Sequence, residues 1–575
     1  MHTFCDRAPC STLLFTNVSH GFTGLTASRG RRVMDPVIVV GAGPVGLTLA
    51  LALARQEVPV VVLDEGPGKE EPRPARTVVL REDTAALMER LTGVPLAGAG
   101  IRWRGWRALR RRQVTREVVF DDAGPAPVHV AQHVLTGALR AALAGQPLAH
   151  IAVDSRVDAV EQEPAGVTAH TRGPRGTWWR GSYLVGCDGL RSTVRKLADI
   201  RFPGRTAVER YAVAALRAEL PWDNEAVLHR RPPWRTSGPS AGEVCARPLP
   251  DGVWRLDWLL PPGKDLVTPE LLVTRIRETL AGWAGGSTPP YDLLDTGVHI
   301  VHHRLARRWR TGRVFLAGDA AHCLGALGTH GLEEGLRDAD NLAWKLASAW
   351  HHGPREALLD SYQTERRAAV AARLRAADQV LPLLRGGRGL RAVVPGAGRG
   401  HDALLADGHL GRGPVGEPGT YADSPLAPPE PLEGEVPVDT PPGAPVADVP
   451  VTAEDGSLVP LRDRLGRGAL LVVLVAPGTT VWAREHWMSA GLMPRLAAAV
   501  TALPHHAELL VAEEYPGAAA HTVLLVRPDG HLVTAFAGVR PAGLYAAAEA
   551  AIGGAAGSGA DTGAQTQADA GAGAR

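Results

Sequence analysis

Val37-Ile38-Val39-Val40-Gly41-Ala42-Gly43-Pro44-Val45-Gly46 decides the fold: a β-branched run ends in glycines spaced G-x-G-x-x-G, and an apolar, helix-like stretch continues to Ala54. A second β-branched run, Val58 to Leu63, ends in Asp64-Glu65 and completes a β-α-β unit of about 30 residues. In such a unit Gly41 permits the tight turn, Gly43 lets backbone approach a pyrophosphate, and Gly46 allows close packing of helix on strand. The helix N-terminus offers free N–H groups and a partial positive charge, worth about 0.3–2 kcal/mol to an anion. Asp64, 18 residues after Gly46, is placed to accept from ribose hydroxyls. The unit therefore predicts dinucleotide binding, without separating NAD from FAD.

Working outward, 575 residues at about 150 per domain leave room for three or four domains. The balance of 62 Lys+Arg against 60 Asp+Glu offers no electrostatic footprint for nucleic acid or an anionic membrane surface, so neither partner is expected. No apolar run reaches the roughly 18 residues of a membrane span. Five cysteines, none in a C-x-x-C pair, make no disulfide framework; a reducing, cytoplasmic setting fits, and no metal site is expected. Residues 1–33, before Met34, read as a disordered extension.

The dinucleotide-binding body is expected over 34–205 and again over 292–385. Between them, 206–291 reads as a small antiparallel sheet, with Trp222, Trp234, Trp254 and Trp258 among its strand and turn signals. At least one of these tryptophans is a candidate for lining an apolar substrate pocket; the plainer reading is core. Gly 66 and Pro 46 make about a fifth of the chain, against roughly 12% in ordinary usage, and much of that excess lies in 386–450, read as a linker or wrapping segment. A third body follows over 451–552, and 553–575 reads as a disordered tail.

Two further motifs begin in strands: Tyr183-Leu184-Val185-Gly186-Cys187-Asp188-Gly189-Leu190-Arg191-Ser192-Thr193-Val194-Arg195, and Arg313-Val314-Phe315-Leu316-Ala317-Gly318-Asp319-Ala320-Ala321-His322. With the opening motif, over roughly residues 35 to 380, they resemble the class A flavoprotein monooxygenases, the para-hydroxybenzoate-hydroxylase type of aromatic hydroxylase. The resemblance implies an α/β chain: a Rossmann-like FAD-binding domain, an inserted antiparallel β-sheet substrate domain and a C-terminal domain. The last, notably Val523-Leu524-Leu525-Val526-Arg527-Pro528-Asp529-Gly530, resembles the thioredoxin-like domain of phenol and polyketide hydroxylases. It lacks a C-x-x-C dithiol, so an assembly or stabilising role is expected.

Carried over by position, Gly41, Gly43, Gly46 and Asp64 look like the ADP-half site. Arg76 stands where the family has a flavin-contacting arginine, and Gln132 looks like the glutamine on the ribityl side. Asp319 resembles the carboxylate beside the pyrophosphate and ribityl region, and Asp188 and Gly189 resemble a motif linked to both FAD and NADPH, supported by Arg191 and Arg195. Asp338, Asn341, Trp344 and Lys345 match the following helix, for packing more than chemistry. Cys187 and Cys323 read as small buried fillers rather than reactive thiols. The implied activity is an FAD-dependent, NAD(P)H-using monooxygenase that hydroxylates a bulky aromatic or polyketide-like small molecule with O2 through a flavin C4a-hydroperoxide. NADPH is the expected reductant with NADH left open, the substrate and catalytic residues stay unassigned, and a homodimer is left open.

The stretch after His322 departs from the family. Cys323-Leu324-Gly325-Ala326-Leu327-Gly328-Thr329-His330-Gly331-Leu332-Glu333-Glu334-Gly335 has no proline, and only Gly331 and Gly335 keep their places. An ionised Glu333 at about 4 Å from a developing flavin anion would cost on the order of 4 kcal/mol at an effective dielectric near 20. Glu333 must therefore turn away, be protonated, pair with a cation such as protonated His330, or alter the flavin's reactivity. The altered loop keeps two alternatives open: a flavoenzyme without oxygen insertion, and a non-catalytic binding protein on the same scaffold.

Overall fold

The computed structural model describes residues 35–69, 71–120, 126–172, 177–234, 242–260, 267–324, 330–384, 406–412, 416–428, 431–478 and 491–554. The extension expected over 1–33, nearly all of the tail expected over 553–575, and residues 325–329 of the atypical loop lie outside them.

The opening motif forms β1 (Val37–Val40) and α1 (Pro44–Arg55), with Pro44 in the first turn, where its missing N–H costs nothing. Parallel neighbours of β1 are β2 (Val60–Leu63) and β12 (Tyr183–Gly186); β8 (Ala149–Ala152) and β19 (Val314–Leu316) extend the sheet in parallel, and β18 (Arg310–Thr311) closes one edge antiparallel. Every residue of β1 and β12 is buried, as a parallel sheet covered on both faces requires. Helix α1 is covered by α3 (Gln132–Ala144) and α6 (His330–His352).

Two small antiparallel sheets attach to this body: β3 (Thr77–Leu80) with β7 (Val128–Ala131) and β4 (Ile101–Arg102), and β9 (Arg156–Glu163) with β10 (Gly166–Arg172) and β11 (Thr177–Gly181). Helix α2 (Glu82–Thr92) follows β3, the five-residue α4 (Thr193–Leu197) follows the second long motif, and α7 (Glu356–Leu384) packs along α6.

The inserted sheet takes in more chain than 206–291. It runs β20 (His322–Cys323), β17 (Tyr291–Leu305), β13 (Gly204–Ala218), β16 (Val253–Leu259), β15 (Glu243–Pro248), β14 (Glu225–Arg230), β5 (Gly105–Arg110) and β6 (Gln113–Val119). Its one parallel pair is β14 with β5, a strand contributed from the first body. Helix α5 (Pro269–Trp283) covers one face, over Ala212, Ala214, Leu216, Leu256 and Trp258.

All four tryptophans go to that covered face. Trp222 meets Trp254 and Trp283 with ring centroids 6.1 and 4.7 Å apart, Trp234 meets Trp283 at 6.2 Å, and Trp258 donates its indole N–H to Thr279 on α5. The plainer reading of these tryptophans, as core, is the one the packing supports: strand alternation sends Arg255 and Asp257, not Trp254 and Trp258, to the opposite face.

The C-terminal domain is thioredoxin-like. A six-stranded sheet runs β22 (Leu458–Pro460), β21 (Pro450–Ala453), β24 (Ala507–Ala512), β23 (Leu470–Val475), β25 (Thr522–Val526), β26 (Leu532–Ala537), with α8 (Met493–Thr501) and α9 (Pro541–Ala551) packed side by side on one face. The described parts of 406–450 are packed: Leu410, Tyr421 and Leu426 are buried, and Glu435 and Pro445 form bridges to Phe536 and His531.

Candidate cofactor and substrate site

The three glycines of the opening turn each meet a different constraint. Gly41 has φ +104, and a Cβ there would fall 2.6 Å from the carbonyl oxygen of Cys187. On Gly46 a Cβ would fall 2.0 Å from the carbonyl oxygen of Gly41, so only glycine lets α1 approach the turn. At Gly43 a Cβ would meet nothing within 4 Å: the turn opens there onto free space at the head of α1. Asp64 Oδ1 accepts from the amide of Ala42 at 2.9 Å, so the acid that ends β2 also braces the turn; its second lone pairs remain for a hydroxyl.

The motifs converge on this turn. A Cβ on Gly335 would fall 2.5 Å from Val45 Cγ2 and 3.2 Å from Gly318 Cα, so α1, the Gly318 turn and α6 meet at van der Waals distance. Gly331 stands close to Asp319: a Cβ there would lie 3.9 Å from Asp319 Oδ1. Arg76 and Gln132 also come together, because the amide of Gln132, the first residue of α3, donates to the carbonyl of Arg76 at 2.8 Å.

Asp188 Oδ2 accepts from the amides of Thr193 and Val194 at 2.6 and 3.0 Å and so caps α4. Its Oδ1 is buried without a hydrogen-bond partner, and Gly189 beside it takes φ +76. Arg195 is a brace, donating to the carbonyls of Ala320 and Leu190 at 2.8 Å. Cys187 and Cys323 are held as thiols, both pushed upward mainly by burial, in agreement with the filler reading.

Asp319 and Arg76 are exposed side chains, and Asp319 is raised above the usual carboxylate range by the protein packed around it, against the attraction of His322, His302 and Arg76. An open glycine turn at a helix N-terminus, an unpartnered buried oxygen on Asp188, and accessible Asp319 and Arg76 together match the needs of FAD: a pyrophosphate seat, acceptors for hydroxyls, and a cation farther along. A cavity of about 560 Å³ lies elsewhere, between α2, α6 and the C-terminal sheet; none of these residues lines it.

Behind the site runs a buried ionic network that sequence reading missed. Asp338 Oδ2 accepts from the amide of Gly318 at 3.0 Å and pairs with His322 Nε2 at 2.7 Å, while its Oδ1 takes Arg366 Nε at 2.9 Å. Arg366 also holds Glu334 at 2.7 Å, and Glu334 in turn holds Arg337 and Arg373. Farther along α6 and α7, Glu365 pairs with Lys345 at 2.6 Å and with Arg527 of the C-terminal domain, whose Asp529 accepts from Asn341 at 2.9 Å. His322, Asp338, Asn341 and Lys345 are thereby explained as framework. Arg366 lay in a helix with no motif around it; Arg527 lay in the Val523–Gly530 stretch already singled out, where an arginine followed two residues later by an aspartate was the available signal.

Glu333 resolves among the outcomes left open for it. It is fully buried, accepts from the amide of Arg81 at 2.8 Å and from Thr84 Oγ1 at 3.0 Å, and forms an ion pair with the Arg81 guanidinium. The carboxylate thus sits at the N-terminus of α2, where the helix dipole favours an anion. Its cation is Arg81, on which burial and the neighbouring Arg337 and Arg373 act to bring the pKa down to about 9.

On the other side of the site, the face of the inserted sheet opposite α5 carries Tyr211, Asp257, Arg255 and Arg247. Asp257 takes Arg247 Nη1 at 2.7 Å and Arg255 Nη2 at 2.7 Å, and all three are buried. Arg255 Nη1 donates to Thr77 Oγ1 at 2.8 Å, next to Arg76. His129 lies 2.7 Å from both Thr77 Oγ1 and the carbonyl of Pro248. Burial brings His129 down to about 3, so it is neutral: Nδ1–H donates to Pro248, and Nε2 accepts from Thr77. Asp295 of β17 accepts from Arg73 Nε at 3.1 Å and from the amide of Ala75 at 3.1 Å, latching the sheet to the residues before Arg76.

A family model described as an FAD binding domain matches residues 34–377. The chain is 31% identical over 518 residues to a 12-dehydrotetracycline 5-monooxygenase/anhydrotetracycline 6-monooxygenase of Streptomyces rimosus, covering 86% of this chain and 94% of that one. It is 32% identical over 367 residues to a 3-(3-hydroxy-phenyl)propionate/3-hydroxycinnamic acid hydroxylase of Paraburkholderia xenovorans, covering 59% of this chain; this chain spans about half, 54%, of that relative's length. Among solved structures, an anhydrotetracycline hydroxylase from Streptomyces rimosus superposes with a TM-score of 0.63 at 27% identity, over 91% of this chain and 99% of that one. The match over 34–377 takes in all three motifs that meet at the glycine turn, and the chain belongs to the FAD-binding-domain family.

Proposed function

We propose that the protein is an FAD-dependent, NAD(P)H-using monooxygenase that hydroxylates a bulky aromatic or polyketide-like molecule. The observation that carries this reading is the full-length similarity to the tetracycline-pathway monooxygenase, which extends through the inserted sheet and the C-terminal domain as well as the dinucleotide-binding body. Bound FAD would supply the redox and oxygen chemistry, as cofactors do in such enzymes.

The residues of this chain supply the rest. Gly41, Gly43 and the N-terminus of α1 would seat the pyrophosphate, with Asp64 on the ribose side and Asp188 and Gly189 beside it. Arg76, Gln132, Asp319 and Gly331 would line the path toward the redox-active end. The face of the inserted sheet opposite α5, at its Tyr211 end, would hold the substrate against that end, with water held back by the latch at Asp295. The same reading makes 206–291 and its flanking strands the substrate domain, and 386–450 the connection to the C-terminal domain.

The test is purification with FAD, followed by NADPH consumption across polycyclic phenols and isotope-labelled O2. Stoichiometric flavin, substrate-stimulated NADPH oxidation and label in the product are expected. A protein that takes up no FAD, or a product free of label, would overturn the reading.

A further inference from the structure

The turn that carries Asp319 is braced by two side chains. Arg195 of α4 donates to the carbonyl of Ala320 at 2.8 Å, and Asp338 of α6 accepts from the amide of Gly318 at 3.0 Å. Gly318 takes φ +62 and Asp319 stands exposed at the next position, so the hold on the Gly318 amide sets where that carboxylate leaves the backbone. The first brace lies within the dinucleotide-binding body. The second is tied to the C-terminal domain.

Asp338 is fully buried, and both its oxygens are engaged: Oδ2 by Gly318 and His322, Oδ1 by Arg366 Nε at 2.9 Å. Against its burial, His322 and Arg366 hold it below the usual carboxylate range, so it stays an anion and an acceptor. Each nitrogen of Arg366 has its own acceptor: Nε has Asp338, Nη2 has Glu334 at 2.7 Å, and Nη1 has the phenol oxygen of Tyr421 at 3.3 Å. Tyr421 belongs to the segment that wraps onto the C-terminal domain. Its amide donates to the carbonyl of Gly443 at 2.8 Å, and the amide of Gly443 donates to the carbonyl of Leu532 in β26 at 2.7 Å. The Tyr421 ring stacks on His531 with centroids 4.2 Å apart, and His531 Nδ1 lies 3.1 Å from the carbonyl oxygen of Asp529. Every member of this path, from Asp338 to His531, is buried. Glu365, the residue before Arg366, pairs with Arg527. Consecutive residues of α7 thus meet the C-terminal domain and the brace of the Asp319 turn.

We infer that Arg366 is a positioning residue for the cofactor, and that the C-terminal domain, through His531 and Tyr421, orients the guanidinium that sets Asp338, the Gly318 amide and Asp319. This rests on the reading above that lays FAD along Asp319. A thioredoxin-like domain without a C-x-x-C dithiol then has a role that needs no thiol chemistry: it completes the frame of the FAD site from outside. The arrangement calls for arginine, because a planar fork reaches Asp338, Glu334 and Tyr421 at once, whereas an ammonium is a single point charge.

The experiment follows release of FAD from the loaded full-length protein by flavin fluorescence after dilution, beside the Tm of each variant. Tyr421→Phe keeps the ring on His531 and removes only the oxygen that accepts from Arg366. His531→Ala removes the ring behind Tyr421, and Arg366→Lys keeps the charge but loses the fork. Trp258→Phe, which gives up a buried hydrogen bond on the α5 side of the inserted sheet, is the control for lost stability alone. Release about threefold faster or more is expected in Tyr421→Phe and His531→Ala, and about tenfold faster in Arg366→Lys, with Trp258→Phe at the wild-type rate. Adding Tyr421→Phe to Arg366→Lys is expected to change little further, because both act through one guanidinium. If Arg366→Lys does not fold, Tyr421→Phe decides alone. A wild-type rate in Tyr421→Phe, or one matched by Trp258→Phe, overturns the positioning role and leaves the cofactor reading standing. A wild-type rate in His531→Ala beside a faster one in Tyr421→Phe overturns the part given to the C-terminal domain. Wild-type protein that takes up no FAD overturns the cofactor reading itself.

Discussion

Arg527 closes both terminal nitrogens on the carboxylate of Glu365, 162 residues earlier in the chain, at 2.6 and 2.9 Å. Both side chains are buried, so the contact that fixes the C-terminal domain on α7 is an ionic one out of reach of water.

Replacing Arg527 by Met should destabilise the protein strongly. Glu365 would keep Lys345 as its cation, with hydrogen bonds from Asn341 and Ser424, and breaking one side of a buried pair costs about 3–5 kcal/mol. Calorimetry should show a lower Tm for Arg527→Met, with part of the loss recovered in the double variant with Glu365→Gln. An unchanged Tm in the single variant would show that the pair contributes nothing.

Acid should unfold the protein through the same network. Guanidinium and ammonium partners hold Glu334, Glu365 and Asp529 below the usual carboxylate range, and His322 and Arg366 do so for Asp338. With folded values below unfolded ones near 4, the unfolded chain binds protons first. The stabilisation is complete above about pH 5 and is lost as pH falls through 4 and below. Tm measured between pH 7 and pH 3 should decline steeply at the acid end; a flat profile would refute the assignment.

Gly43→Ala and Gly46→Ala should fail in different ways. The first adds a methyl group in open space at the head of α1, so folding should survive while FAD affinity falls at least tenfold. The second drives a methyl group to 2.0 Å from the carbonyl of Gly41, so soluble yield or Tm should fall first. Equal FAD affinity in folded Gly43→Ala and wild type would argue against a pyrophosphate at that turn.

Glu333→Gln should lower stability by about 1–3 kcal/mol through loss of the charge paired with Arg81, and should move the flavin reduction potential by less than about 30 mV. Spectroelectrochemistry and thermal unfolding separate the two effects. A large potential shift would mean that the carboxylate acts on the flavin despite its orientation.

Trp258→Phe removes the hydrogen bond to Thr279 on the α5 side of the sheet. A Tm decrease with unaltered FAD affinity is expected. Reduced FAD affinity would place the α5 face in communication with the cofactor.

The dinucleotide-binding body was legible because its constraints are local: glycine spacing, a β-branched run and an acid at a strand end are all read within about 30 residues. The strands 105–119 were not assigned to the inserted sheet, since their pairing with β14 is made across more than a hundred residues and leaves no periodic mark of its own. The tryptophans were left between pocket and core for a related reason: composition says that they are apolar, while the alternation of β16 decides which face Trp254 and Trp258 take. Glu333 was recognised as out of place from the family pattern, but its partner, Arg81, lies 252 residues away and could be found only in three dimensions.

Asp295 holds Arg73 and the amide of Ala75, and Arg76 is the next residue along. The inserted sheet is therefore mechanically geared to that arginine. A displacement of β17 would reach the backbone of Ala75 directly, one residue from Arg76, whereas the glycine turn is braced separately, by Asp64 on the amide of Ala42.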